Sequence, residues 1–175
     1  MTHYFIIPGL GNSGPEHWQT YFEHSGPNFT RINQEEWDAP VCTDWLNNIS
    51  KAIDGYKMSD VILIGHSLGC TTIAHWAKQS GKKIKGAMLV APSDIENPVY
   101  TFPATGFAPI PLEKLPFPSI VASSSNDEWV SPERAAYFAQ QWGSKFINIG
   151  DAGHINAIAV FGKCDRGLEI LHTLD

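Results

Sequence analysis

The chain is poor in the residues that mark several protein classes. It carries only three cysteines, Cys42, Cys70 and Cys164. Their number is odd and none stand in C-x-x-C spacing, so neither a disulfide framework nor a cysteine-held zinc site is indicated. No apolar run approaches the ~18 residues that would suggest a membrane-spanning helix. The Met1-Thr2-His3 start leads straight into an apolar stretch, without the basic and apolar regions of a secretory leader, so the expected location is cytoplasmic. Positive charge is also scarce: Lys and Arg number 12 against 18 Asp and Glu, a net charge of −6 at pH 7. The only basic cluster is Lys82-Lys83 with Lys85, which reads as a solvated helix end. This balance argues against a nucleic-acid partner, and the lack of a long apolar run against a membrane one. Repeats and low-complexity segments are absent.

What is present suffices for a globular core: 43% of the 175 residues are hydrophobic. That size suits a single domain over residues 1–175. The chain is organised around Val61-Ile62-Leu63-Ile64-Gly65-His66-Ser67-Leu68-Gly69. Four apolar residues, three of them β-branched, read as a strand buried on both faces. After the second glycine, Ile73, Ala74 and Ala77 recur at helical spacing. A strand, a tight Gly-x-Ser-x-Gly turn and a helix form a nucleophile elbow. Such a turn lifts the serine hydroxyl above the sheet. It also sets the Leu68 amide at a helix start, where free N–H groups favour negative charge.

Further strands are expected over residues 4–8, 29–34, 85–91, 119–123 and 145–149. Helices are expected over 16–22, from a Thr43 cap to Ile53, from a Ser131-Pro132 cap to Trp142, and over 168–174, with a helical turn over 155–161. Residues 92–118 hold seven of the twelve prolines and the aromatics Tyr100, Phe102, Phe107 and Phe117. That excludes a regular helix or central strand and reads as an excursion over one end of the sheet. It is too short for a helical cap with its own core. Alternation of strands and helices predicts an α/β fold: an open parallel sheet of about six strands with helices on both faces.

Ligands of such sheets bind beyond the carboxyl ends of the strands. Ser67, Asp127 and His154 all follow strands there, in the chain order used by α/β-hydrolases. A serine hydroxyl needs a base, here His154, and the base needs a carboxylate on its other ring nitrogen. Asp127 is the first choice for that acid; Glu128, Asp151 and Asp94 are alternatives. The loop after the first strand, Pro8-Gly9-Leu10-Gly11, should supply a second oxyanion donor beside Leu68, with the Leu10 amide first and Gly11 next. His17 is read as a histidine satisfied within its loop or as part of the mouth of the site. Trp129 is read as either a packing or a site residue.

Pro8-Gly9 with Pro15-Glu16-His17-Trp18, the Gly65–Gly69 turn, Ser125-Asn126-Asp127 with Val130-Ser131-Pro132-Glu133-Arg134-Ala135, and Gly153-His154-Ile155-Asn156 together resemble the small serine hydrolases related to retinoblastoma-binding protein 9. The resemblance spans nearly the whole length. It implies a compact α/β-hydrolase lacking the fold's first two strands, with Ser67, Asp127 and His154 matching the triad. It implies no metal or organic cofactor, and hydrolysis of small-molecule esters or amides. No Leu-x-Cys-x-Glu segment is present, so the retinoblastoma partner is not implied. The family's trailing Gly-Phe-Gly pattern stands here only as Val160-Phe161-Gly162. A carboxylesterase acting on small acyl esters is therefore expected; the competing expectation is a non-catalytic binding module on the same scaffold.

Overall fold

The computed structural model describes residues 1–156 and 166–175. Six strands form one parallel sheet: β1 (His3–Ile7), β2 (Phe29–Arg31), β3 (Val61–His66), β4 (Gly86–Val90), β5 (Ser119–Ser123) and β6 (Lys145–Asn148). Their order is β2-β1-β3-β4-β5-β6. The α-helices among the described residues are α1 (Trp18–Glu23), α2 (Cys42–Ala52), α3 (Leu68–Ser80), α4 (Pro132–Trp142) and α5 (Arg166–His172). The expected α/β architecture is the one observed.

Side chains alternate across each central strand, which accounts for two cores. Phe5, Ile7, Leu63, Leu89 and Val121 pack with α2, α3 and α4 on one face. Tyr4, Ile6, Ile62, Ile64, Met88 and Val90 pack with Trp18 and Phe22 of α1 and Leu171 of α5 on the other. The topology explains this division. The chain steps from β1 outward to β2, then returns past β1 and grows the other way from β3 to β6. A right-handed crossover puts its helix on opposite faces for opposite directions of growth. The reversal lies between β1 and β3, and there a crevice opens at the carboxyl ends of the strands.

Local signals account for most boundaries. Ser131 Oγ accepts the Arg134 amide at 3.1 Å and Pro132 takes the first helical position. Helices α3 and α4 stop at Gly81 and Gly143, both left-handed. Thr43, the expected cap of α2, lies inside the helix instead, and Val41 is the N-cap without a side-chain bond. The helix's first donor is met from far along the chain: Cys42 N–H donates to the Thr105 carbonyl at 2.9 Å. A tertiary backbone partner thus replaces the local hydroxyl. β2 is shorter than the alternating 29–34 segment because it pairs with β1 alone, at the sheet edge. The helical turn expected over 155–161, and Val160-Phe161-Gly162, lie largely or wholly outside the described residues.

The proline-rich 92–118 segment is tied down along its length. Phe107 is fully buried, and its carbonyl lies 2.7 Å from His75 Nε2. Trp142 Nε1 donates to the Pro111 carbonyl at 2.7 Å, and Leu115 N–H to the Trp142 carbonyl at 3.0 Å. Near its start, Arg134 pairs with Asp94 at 3.1 Å and Glu96 at 2.7 Å. The segment forms a rim fixed to α3 and α4.

Candidate active site

Every residue of β3 is buried, and the strand ends at His66. Ser67 then adopts φ 55° and ψ −122°, which a residue with a side chain avoids, at a cost on the order of 1–3 kcal/mol. α3 starts at the next residue, hard against the end of β1. A Cβ at Gly69 would run into the Ile7 carbonyl and lie 2.8 Å from that of Pro8, so only glycine permits this approach. The turn projects Ser67 Oγ into the crevice between β1 and β3.

His154, in the loop after β6, places Nε2 2.9 Å from Ser67 Oγ. Its Nδ1 lies 2.9 Å and 3.0 Å from the two oxygens of Asp127, in the loop after β5. The Asp127 side chain is completely shielded from solvent and accepts a further bond from Trp129 N–H at 2.8 Å. A carboxylate only accepts, so the imidazole proton sits on Nδ1, and Nε2 of the neutral ring is free to accept from Ser67. Two further contacts fix the histidine loop. Asn126 Oδ1 accepts the Ala152 and Gly153 amides at 2.9 Å and 2.7 Å. His66 Nε2 donates to the His154 carbonyl at 2.9 Å. Of the alternative acids, Asp94 is engaged by Arg134, and Glu128 and Asp151 are exposed. None of the three bonds His154 among the described residues.

The Leu68 amide is among the first-turn donors of α3, which lack a carbonyl four residues back within the helix. The loop after β1 faces it. A Cβ on Gly9 would stand 2.8 Å from Ser67 Cβ and 3.3 Å from Oγ, so this loop lies directly against the serine. The Leu10 amide makes no hydrogen bond among the described residues. Gly11, the second sequence candidate, is removed: its N–H donates to the Trp37 carbonyl at 2.9 Å.

These groups open onto a cleft of about 250 Å³. Tyr100, Phe102 and Trp129 form one wall, with ring centroids 5.1–6.3 Å apart. Trp129 thus lines the cleft, and the rim supplies two aromatics to it while Phe107 serves as its anchor. His17 satisfies both sequence readings. Its Nδ1 accepts the Gln19 amide at 3.1 Å and caps α1, while the residue lines the cleft. Its ring stands 4.6 Å from that of His66, which is 5.0 Å from His154.

Burial above all, then the charge of Arg31, lowers His17 from 6.5 to about 3. Burial, with His17 and His154 nearby, also holds His66 well below 6.5. The unfolded chain therefore binds more protons than the folded one below pH 6.5, and stability must fall as pH drops from there towards 3. His17 contributes roughly 1.4 kcal/mol per pH unit in that window, about 2 kcal/mol by pH 5, and His66 acts in the same direction. Urea unfolding at pH 7 and pH 5 checks this, and His17→Gln should shrink the difference. Equal unfolding free energies at the two pH values would contradict it.

Two further residues support this arrangement without a role assigned to either from the sequence. Ser93, three residues past β4, reaches Ser67 Oγ at 2.6 Å. Asn126 clamps the histidine loop. The rule that sites lie beyond strand carboxyl ends pointed to both segments, but singled out only their acids. Among the described residues no group of three or more His, Cys, Asp or Glu could hold a metal ion. Nor is any helix among them long and apolar enough to cross a membrane.

The profile of a family described as serine hydrolase matches residues 4–173. Among solved structures, a YdeN-like hydrolase of Pectobacterium atrosepticum shares 35% identity at TM-score 0.86, over 99% of this chain and 90% of that one. The ydeN gene product of B. subtilis shares 19% identity at TM-score 0.82, over 99% and 98%. Est1E of Butyrivibrio proteoclasticus shares 17% identity at TM-score 0.67, over 99% and 88%, a likeness of fold. No curated protein sequence matches.

Proposed function

Because the chain belongs to the serine hydrolase family, we propose that it is a carboxylesterase for small acyl esters, with Ser67 as nucleophile, His154 as its base and Asp127 as the orienting acid. The observation that carries this reading is the unbroken line from Ser67 Oγ through the His154 ring to the shielded Asp127 carboxylate. In acylation the Ser67 proton passes to His154 Nε2 as Oγ bonds the acyl carbon. The resulting oxyanion is met by the Leu68 and Leu10 amides. The imidazolium, stabilised by Asp127, then protonates the departing alcohol. Water enters the vacated position, gives its proton to His154, and releases the acid and Ser67.

The cleft favours short acyl groups. Its aromatic wall offers apolar contact, and with a fixed rim in place of a cap domain the space is about 250 Å³. Each methylene that still reaches that wall gains ~0.8 kcal/mol, roughly fourfold in kcat/KM, and each that protrudes into water gains nothing. Across p-nitrophenyl esters, kcat/KM should rise from acetyl to about butyryl and then level or fall. No rate jump should accompany substrate aggregation. A steady rise through C10 to C16 chains would point instead to a deep, lipase-like site. Absence of both ester turnover and fluorophosphonate labelling would favour the binding-module reading.

A further inference from the structure

Ser67 Oγ has two neighbours and one proton. It lies 2.9 Å from His154 Nε2 and 2.6 Å from Ser93 Oγ. The Asp127 carboxylate fixes the imidazole proton on Nδ1, so Nε2 of the neutral ring can only accept, and the Ser67 proton must go to it. The short contact to Ser93 is then satisfied in one way: Ser93 donates and Ser67 accepts. Ser93 is only 1% exposed, and its hydroxyl has no other hydrogen-bond partner among the described residues.

We propose that Ser93 is a catalytic residue, a hydroxyl donor to the nucleophile oxygen that stabilises charge on Ser67 Oγ in both half-reactions. The inference rests on Ser67 being the nucleophile. During attack the Ser67 proton moves to Nε2, Oγ bonds the acyl carbon, and the carbonyl π pair moves onto its oxygen. Ser93 keeps its own proton throughout, and its bond tightens while Oγ carries partial negative charge. In the acyl-enzyme Oγ is an ester oxygen and a poor acceptor. When water has added and Ser67 departs, charge returns to Oγ and the same donor meets it. Acylation and deacylation should therefore slow together when the donor is lost, which lowers kcat and leaves KM nearly unchanged.

The test compares Ser93→Ala and Ser93→Cys with the parent, by p-nitrophenyl butyrate kinetics and by the second-order rate of fluorophosphonate labelling. Cysteine keeps nearly the same shape but donates weakly, so it separates the hydrogen bond from packing. Both variants should be labelled about 10- to 100-fold more slowly, with KM within about twofold and, for Ser93→Cys, an unchanged melting temperature. Should Ser93→Ala fail to fold, Ser93→Cys decides alone. Labelling of Ser93→Cys within twofold of the parent would overturn the proposal. So would a rate loss in that variant that comes with a raised KM or a lowered melting temperature. Labelling of Ser67→Ala at the parent's rate marks a different failure, that of the nucleophile assignment itself.

Discussion

Ser67→Ala is expected to yield a folded protein whose ester hydrolysis is lower by roughly 10⁴- to 10⁶-fold and which no longer takes up a fluorophosphonate. The magnitude follows from what the hydroxyl does. Without Oγ there is no acyl-enzyme, and His154 can at best activate water in a cleft shaped for attack from the β3–α3 turn. The residual rate would come from the amide donors and from binding. Folding should survive, because alanine adopts φ 55° with the same strain as serine and the turn is held by buried β3 and by α3. The measurement is kcat/KM on a short acyl ester with the melting temperature alongside. A folded variant that retains more than about a tenth of the parent's kcat/KM would show that another group is the nucleophile.

Asp127→Asn is expected to lower kcat by roughly 10³- to 10⁴-fold. The substitution is nearly isosteric, so the effect must come from proton placement. An amide can turn its NH₂ towards His154 Nδ1. That forces the ring proton onto Nε2, and Nε2 then cannot accept from Ser67. The parent carboxylate is fully shielded, so water cannot take over its part. Asp94→Asn and Asp151→Asn supply the contrast. The first weakens a pair with Arg134 and should lower stability by about 1 kcal/mol with activity kept within a few-fold. The second alters an exposed side chain. If either folded variant lost as much kcat as Asp127→Asn, the orienting acid would have to be reassigned.

The legible parts of this protein in its sequence are those written in local signals. A fully buried strand reads as an unbroken apolar run, and the Gly65–Gly69 turn follows from the need for α3 to start against β1. The Ser131-Pro132 cap and the Gly143 stop bound α4 at the expected residues. β5 falls on the residues expected of it. The parts not legible depend on what lies across the sheet. Ser93 meets Ser67 because β4 pairs beside β3 with His66 opposite Val90, a register no local pattern states. Among Asp94, Asp127, Glu128 and Asp151, only Asp127 reaches His154 Nδ1 among the described residues, a matter of side-chain direction within loops that no local pattern states. Val41 begins α2 without a side-chain cap because the Thr105 carbonyl arrives from more than sixty residues away. His17 belongs to both loop and cleft, since its Nδ1 caps α1 while the residue lines the cavity.

The order of strands also has a consequence for how this protein reaches its working state. Gly9, Ser67, Ser93, Asp127 and His154 follow five different strands, and every pairing in the sheet is parallel. No hairpin contains two members of the hydrogen-bonded line: Asp127 and His154 stand 27 residues apart across the β5–α4–β6 unit, and Ser67 stands 87 from His154. Contacts of such sequence separation form late, after costly loop closure. The β3–α3 elbow can form early, while Ser67 meets His154 only when β6 has docked on β5. Reactivity of Ser67 during refolding would thus report closure of the whole sheet, and a refolding intermediate rich in secondary structure would still be chemically silent.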